Sequence, residues 1–567
     1  MVNMSTTTTL SSSENKNLSN PNQARKKIWI SFAIVLVYFA LLLLIFNFMF
    51  SINDDRQIME IVCGKFSNAT PYAIFISTLF SYPLYFLYKL FPNFPVYGFA
   101  YVVEMFLVLW FITFFVLSKV QQNIKIKALF ITITYLTLLP FLVLTQFTFV
   151  TAILCFPLVI ISVYFNKFSK KEKIVYSVLF ALFAFLSVGI RYQVFLMSVP
   201  FVGLGVVLGL SKDKKSFIST LLIVLMTVVF LFNLGLNKII LSNDENYKNF
   251  NEYNIVRSDL YDYYGFPDYD SNREFYESLS IDKSAYELLT HYVFDIPEAS
   301  LENMRVIRDY QLENSTKSNR FIIKTVYEGF NGSKVLSSLI IILIVTNCFC
   351  GIKNKDKRIL FSILLLVIGT LIMSAFIAYK MKFPVRIAEC LLLFNFYFLI
   401  AQLTSFENSP IKTKTSKILF CIMGILMFSM FVHSIVKTYN YSRGIKSYCN
   451  FYQGLENELI NRPENIYFVE KDITIPLNAY LLKSTKVVTN QYVSDWNVFS
   501  TFYNSLMKEL KYSSFYDLLN NADNFYLVTN DLNVINRYNE YVGSRFNKKF
   551  VNTEEILNCK IWFLCPV

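Results

Sequence analysis

Residues 29–50 read WISFAIVLVYFALLLLIFNFMF, preceded by Arg25, Lys26 and Lys27 and followed by Ser51-Ile52-Asn53-Asp54-Asp55-Arg56-Gln57. About 20 apolar residues rising 1.5 Å each cover a hydrocarbon core of ~30 Å, so this run predicts a membrane-spanning helix. It is too long for the apolar part of a signal peptide, and no small-residue cleavage site follows it. It therefore reads as an anchor with its basic flank in the cytoplasm. Residues 1–27 are rich in Ser, Thr and Asn with few large apolar side chains, which predicts a disordered cytoplasmic tail.

Working outward, similar runs lie near 96–118, 128–147, 149–166, 174–190, 192–210, 217–240, 335–351, 359–379, 385–403 and 417–437. Hydropathy thus predicts about 11 crossings. Composition agrees: 54% of residues are hydrophobic and only 16% charged, against roughly 25% charged in soluble domains. The predicted fold class is an all-α polytopic membrane bundle; long apolar runs exclude a barrel. With 2 histidines in the chain, His291 and His433, His-rich metal sites are excluded and a Ser-His-Asp device would depend on one of them.

The short loops sort by charge. Lys119, Lys125 and Lys127, then Lys167 to Lys173, Lys212 to Lys215, Lys353 to Arg358 and Lys412 to Lys417 alternate along the count, and the positive-inside rule puts them in the cytoplasm. The net charge of +13 is then a topology signal and not a nucleic-acid surface. The implied location is the plasma membrane, multi-pass, with the N-terminus cytoplasmic. The transmembrane domain covers 28–440, with outward loops 51–95 and 241–334, and a small extracytoplasmic α/β domain covers 441–567.

The long outward loop is rich in Asp, Glu, Tyr and Asn. Such a segment can hold sugars, Tyr giving an apolar face and Asp or Asn bonding hydroxyls, or it can be a folded cap without a ligand. In the C-terminal domain, Asn465–Val469, Lys486–Thr489, Asn524–Val528 and Lys560–Leu564 read as buried strands, with helical spacing over 499–511 and 513–521. No phosphate-binding glycine loop occurs there, which points to an accessory role. Most of the cysteines read as small apolar residues; a Cys559–Cys565 bridge rests on spacing alone.

Chemistry concentrates at outward membrane ends. Asp54 and Asp55 can take a proton from a hydroxyl, coordinate a divalent cation through Asp55, or simply form an acidic solvated loop. Behind them Pro71–Phe91 is apolar but interrupted by Pro83, the pattern of a helix lying along the interface. Arg191, between two apolar runs, and Lys380, Lys382 and Arg386 place positive charge where the topology rule disfavours it. An anionic lipid phosphate would suit the arginines. The internal alternatives are Arg386 with Glu389 and Arg191 with Glu104. Glu104 and His433 read as satisfied structural groups.

Acidic residues opening the first outward loop, an interfacial helix after them, many further spans and an outward C-terminal domain resemble the multi-spanning GT-C glycosyltransferases. That superfamily includes protein O-mannosyltransferases, oligosaccharyltransferases and lipid A aminoarabinose transferases. The chain is also similar to bacterial polytopic membrane proteins with an Asp-Asp motif in this position and an Asn-x-x-Arg…Asp-Tyr loop, here Asn254, Arg257, Asp262 and Tyr263. It has Asp-Asp where some members have Asp-Glu, and lacks the Trp-Trp-Asp motif of oligosaccharyltransferases.

The resemblance implies a polyprenyl-phosphate-linked sugar donor, a glycan or other cell-surface acceptor, and a bacterial plasma membrane. It implies Asp54 as catalytic base with Asp55 assisting, through a hydrogen bond or through Mg or Mn. It further implies Arg191, Arg386, Lys380 and Lys382 on the donor phosphate, and Arg257, Asp262 and Tyr263 in an acceptor or sugar loop. The rival readings are an exporter or flippase of lipid-linked glycans, a polymerase or ligase that shares the arginines without the Asp pair, and a structural assembly protein.

Overall fold

The computed structural model describes residues 21–210, 219–314, 319–380, 382–405, 414–470, 473, 480–483, 487–492 and 496–567. Residues 1–20 of the expected tail, the basic loop Lys212 to Lys215, Lys412 and Lys486 lie outside them.

Among the described residues nine helices are long and apolar enough to cross a membrane. Two of them form the centre: Phe147–Lys167 and Val385–Thr404 are 94% and 83% buried over their apolar windows, against 22% for Asn22–Ile45 and 11% for Leu221–Ser242. The peripheral helices present Leu36, Leu41, Leu44, Leu231 and Phe232 outward, the face a lipid solvent would cover.

The helix Lys170–Leu210, 41 residues, would reach ~60 Å if straight, twice the hydrocarbon core. It is not straight. Arg191 has φ −153° and ψ 95°, outside the helical region, and the chain folds back there. Tyr176 on the first leg stacks on Phe168, and Gly205 on the second leg lies against Ser162, so both legs return to one end of the bundle. Arg191 itself lies at the other end, over Phe147. The two runs expected at 174–190 and 192–210 are therefore two legs. The end holding Tyr176 also gathers the basic loops: Lys119 pairs with Glu172, and Lys167 donates to the Ser405 carbonyl.

At the opposite end a two-residue parallel ladder, Met49–Phe50 on Leu144–Thr145, ties the exit of the first span to the exit of the third. It is extended by Ser51 N–H to Thr145 O at 2.7 Å. The helix Asn53–Cys63 starts directly after it and stops at Gly64, where φ is 74° and a Cβ would meet Ala69 N at 2.6 Å. Thr78–Leu90 follows, 13 residues and ~20 Å long, too short to cross. It buries Thr78, Ser81, Leu84 and Tyr88 and exposes Phe86, Leu90 and Phe91, the two-faced pattern of an interfacial helix.

The segment between Ser242 and Lys334 is a helical cap, and the C-terminal part forms a five-stranded mixed sheet. Ile466–Val469 is parallel to both Gln491–Tyr492 and Phe525–Val528; Cys559–Pro566 and Lys548–Ile556 add antiparallel strands. Three expectations are corrected here. The strand expected at 486–489 forms instead at Gln491–Tyr492, because Val488 N–H is taken by the Lys65 carbonyl at 2.6 Å. Cys559 and Cys565 lie toward the two ends of one strand, ~20 Å apart at 3.3 Å per residue, far beyond the reach of a disulfide between them. The boundary placed at 441 falls inside the helix Lys414–Ile460, which runs unbroken from the bundle to the sheet. Its Tyr452, Leu455 and Leu459 pack on Tyr467, Val469, Val528 and Ile561. The strand Lys548–Ile556 and the helix Leu532–Phe546 complete the unit.

This domain docks directly on the bundle. Leu481 N–H donates to Phe48 O at 3.0 Å. Gly98 lies so close to the Leu481 carbonyl that any Cβ there would stand 1.8 Å from it.

Candidate functional site

The ladder at Met49–Phe50 sets the two aspartates against the third and fourth spans, and they diverge as adjacent helical residues must. Asp55 is fully buried. Its Oδ1 accepts from the Tyr97 hydroxyl (2.9 Å), the Tyr101 hydroxyl (3.3 Å) and the Phe147 N–H (3.0 Å), which also reaches Oδ2 at 3.2 Å. The carboxyl thus caps the start of the helix Phe147–Leu154, whose own N-cap residue Gln146 supplies no side-chain bond. Burial pushes the Asp55 carboxyl up to about 8, the Tyr97 hydroxyl opposing and the charge of Asp54 adding to it.

Asp54 turns the other way, with 19% of its side chain exposed, and its Oδ2 lies 3.6 Å from Arg386 Nη1. Arg386 therefore pairs with Asp54 and not with Glu389. Arg191 sits over the Phe147 ring at 4.4 Å and near Phe75 at 5.8 Å, where the expectation had offered Glu104 as its partner. Asp54, Arg386 and Tyr263 act electrostatically on the Arg191 guanidinium. Among the described residues its buried Nε has no hydrogen-bond partner. One residue links the two halves: Phe147 gives its N–H to Asp55 and its ring to Arg191.

Phe75 stacks on Phe147 at 6.3 Å with 9° between planes, and Trp496 of the C-terminal domain packs against it at 4.8 Å, tilted by 54°. Phe75 holds φ 74°, which costs a bulky residue energy and must be imposed by its surroundings. The result is a cationic group on an aromatic floor at the membrane end of the bundle, with a carboxylate beside it.

The cap reaches the same place. Helix Glu245–Ser258 passes into the wider turn Asp259–Tyr264, which ends at Gly265 with φ 81°. Burial raises the half-buried Tyr263 phenol above its usual value, Asp262 adds to that, and Arg191 opposes it. Asp262 accepts from Ser258 Oγ (3.0 Å) and lies 3.8 Å from Lys382 Nζ, which also reaches the Tyr261 carbonyl. Arg257, expected in the sugar loop, is instead buried inside the cap, held by Asn254 Oδ1 at 3.0 and 2.7 Å and lying 5.9 Å from the Phe294 ring. Lys380 is exposed with its ammonium 5.4 Å from the Tyr379 ring, and among the described residues no ion pair joins it to the cluster. Glu104 is buried with Oε2 unpaired among the described residues, so it is not the satisfied group expected, and His433 is exposed.

A second charged group, absent from the sequence reading, lies on the far part of the same helix. Arg56 pairs with Glu60 at 3.2 Å, and Lys65 bridges Glu60 (3.4 Å) and Glu456 (2.5 Å), all buried. Burial works against the charge on Lys65, but the carboxylates of Glu456 and Glu60 outweigh it and hold its pKa above the ordinary value. The Arg56–Glu60 spacing, one helical turn, was the available signal; Lys65 and Glu456 could be joined to it only by the fold.

A resident divalent cation does not fit this arrangement. Asp55 already accepts from three donor groups, and among the described residues no group of three His, Cys, Asp or Glu side chains could hold a metal ion. No protein-family model matches the chain, and no curated protein matches it in sequence.

Proposed function

We propose that the chain is a GT-C-type membrane glycosyltransferase that transfers a sugar from a polyprenyl-phosphate-linked donor to a cell-surface acceptor on the outer face of a bacterial plasma membrane. The observation that carries this reading is the Arg191 guanidinium: held on an aromatic floor beside Asp54 and Arg386, with its Nε lacking a hydrogen-bond partner among the described residues. An unsatisfied buried donor on a cation is expensive, and a phosphate oxygen is its natural complement.

In this mechanism Asp54 takes the proton of an acceptor hydroxyl as its oxygen attacks the anomeric carbon. The bond from that carbon to the phosphate oxygen breaks with inversion, and polyprenyl phosphate leaves carrying the electron pair, stabilised by Arg191 and Arg386. Asp55, neutral near pH 7, holds the helix Asn53–Cys63 to Phe147 and keeps Asp54 in place. Two neighbouring carboxyls in different surroundings, Asp55 buried and Asp54 part-exposed beside Arg386, divide the roles in this way. No step in this mechanism is routed through Mg or Mn, so the expected result of adding EDTA to a transfer assay is an unchanged rate.

The topology that goes with it has about 11 crossings, counting both legs around Arg191 and the membrane part of Lys414–Ile460. The lysine-rich end is cytoplasmic, with the cap and C-terminal domain outside. Tags after Phe50 and at Val567 are then reachable from outside the cell, and tags near Lys171 or Lys355 are not. Mass spectrometry of surface glycans from cells with and without the protein tests the activity. The expected result is loss of one sugar substituent. Unchanged glycan structures with altered amounts at the surface would favour the exporter reading, and shortened chains the polymerase.

A further inference from the structure

Away from the aspartate cluster, a cavity of about 540 Å³ opens between the cap and the C-terminal domain. One wall presents Asn246, Asn249 and Tyr253, the other Asn504, Ser514 and Tyr516. Its volume is that of a small-molecule site. Its lining combines amides, hydroxyls and aromatic rings with the aliphatic Ile296, Pro297, Ala299 and Leu301, and among the described residues includes no Lys or Arg, which disfavours phosphate or another anion. The single carboxylate, Asp295, is already engaged by the Tyr503 hydroxyl and the Phe515 N–H, so it offers little to a cation.

Two further features point to a ligand. Tyr253 is 5% exposed, yet among the described residues its hydroxyl has no hydrogen-bond partner. Such a group costs free energy unless something else bonds it. Tyr253 also meets Phe499 edge to face at 4.8 Å, giving the cavity an aromatic surface beside the amides. The walls are held at fixed spacing by Arg545 and Tyr541 of the domain, both bonded to Glu298 of the cap.

We infer that this cavity is a binding subsite for a neutral saccharide. Sugars present the required combination: hydroxyls for Asn246, Asn249, Asn504 and the Tyr253 hydroxyl, and an apolar C–H face for the rings. The placement gives it a use. Tyr253 and Tyr263 lie on one continuous helical segment, ten residues and ~15 Å apart, and Tyr263 is near enough to Arg191 to act on it electrostatically. A glycan acceptor seated in the cavity extends its growing end toward Asp54. This use as an acceptor subsite rests on the glycosyltransferase reading; the binding itself does not.

The test is saturation-transfer NMR on the full-length protein in detergent micelles, with maltotriose, tri-N-acetylchitotriose and glucose 1-phosphate as probes. At least one neutral trisaccharide binds saturably, and glucose 1-phosphate binds more weakly. The double variant Asn249→Leu/Asn504→Leu, at exposed positions, binds about tenfold more weakly, and Tyr253→Phe also weakens binding without lowering the melting temperature. Asp54→Asn binds as the unaltered protein does. Absence of binding by both neutral probes, equal binding in the double variant, or preference for the sugar phosphate would overturn the subsite. Saccharide binding without any transfer activity would remove the transferase reading and leave the subsite standing.

Discussion

The helix Asn53–Cys63 carries charge into two different surroundings. At its far part Arg56, Glu60 and Lys65 meet Glu456 in a buried network joining the first outward loop to the last long helix. At its start Asp54 pairs with Arg386 and acts electrostatically on Arg191, both arginines half-buried, with Arg191 Nε unpaired among the described residues. The residue types are the same. What differs is exposure: the first group is buried between the first outward loop and the last long helix and holds the C-terminal domain to the bundle, while Asp54 and Arg386 of the second stay part-exposed. Charge at a membrane end is therefore structural or functional according to what closes around it, and each substitution below probes one side of that contrast.

The largest effect is expected at Asp54. Asp54→Asn keeps the shape and removes the base, lowering the transfer rate by roughly 10²–10⁴ with little change in melting temperature. Asp55→Asn, an isostere of the neutral acid, is milder in the same assay. The buried network gives the converse result. Lys65→Met leaves two buried carboxylates without their shared cation and destabilises the protein by about 3–5 kcal/mol, read as thermal unfolding in detergent. Transfer per folded molecule is largely retained.

Arg191→Lys and Arg386→Lys preserve charge but lose the planar fork. Each is expected to weaken donor use about tenfold, ~1.4 kcal/mol, with normal folding. The smallest effect is a pH slope. Because the Asp55 carboxyl is raised to about 8 in the folded protein, the fold prefers its neutral form. Its contribution to stability is complete below about pH 4 and is lost as pH rises toward 8. The melting temperature of the unaltered protein therefore falls relative to Asp55→Asn between pH 5 and 9; parallel curves would show that Asp55 is ionised throughout.

Much of the bundle is legible in the sequence because a bilayer imposes one pattern, a run of apolar residues, and the basic loops punctuate it. Asp54, Arg191 and Arg386 stand out for the same reason: polar groups at membrane ends are costly and need a cause. The aromatic floor is not legible. Phe75, Phe147 and Trp496 are three rings among many, and their convergence depends on the Met49–Phe50 ladder and on the domain docking through Leu481. Arg257 misleads for a related reason. Its position in a polar loop suggests a ligand, but Asn254, one helical turn earlier, claims it. The strand at 486–489 is displaced because Lys65, distant in sequence, bonds Val488, and the helix Lys414–Ile460 hides the domain boundary because helical spacing continues across the change from apolar to polar residues.

The central claim is that Arg191 and Arg386 receive a carrier-lipid phosphate beside Asp54. Native mass spectrometry of the full-length protein in nanodiscs, titrated with undecaprenyl phosphate, tests it directly. The account predicts saturable binding that is retained in Asp54→Asn and in Lys380→Ala, and weakened about tenfold in Arg191→Lys. Binding of equal strength in Arg191→Lys and Arg386→Lys would contradict it and return both arginines to structural pairing.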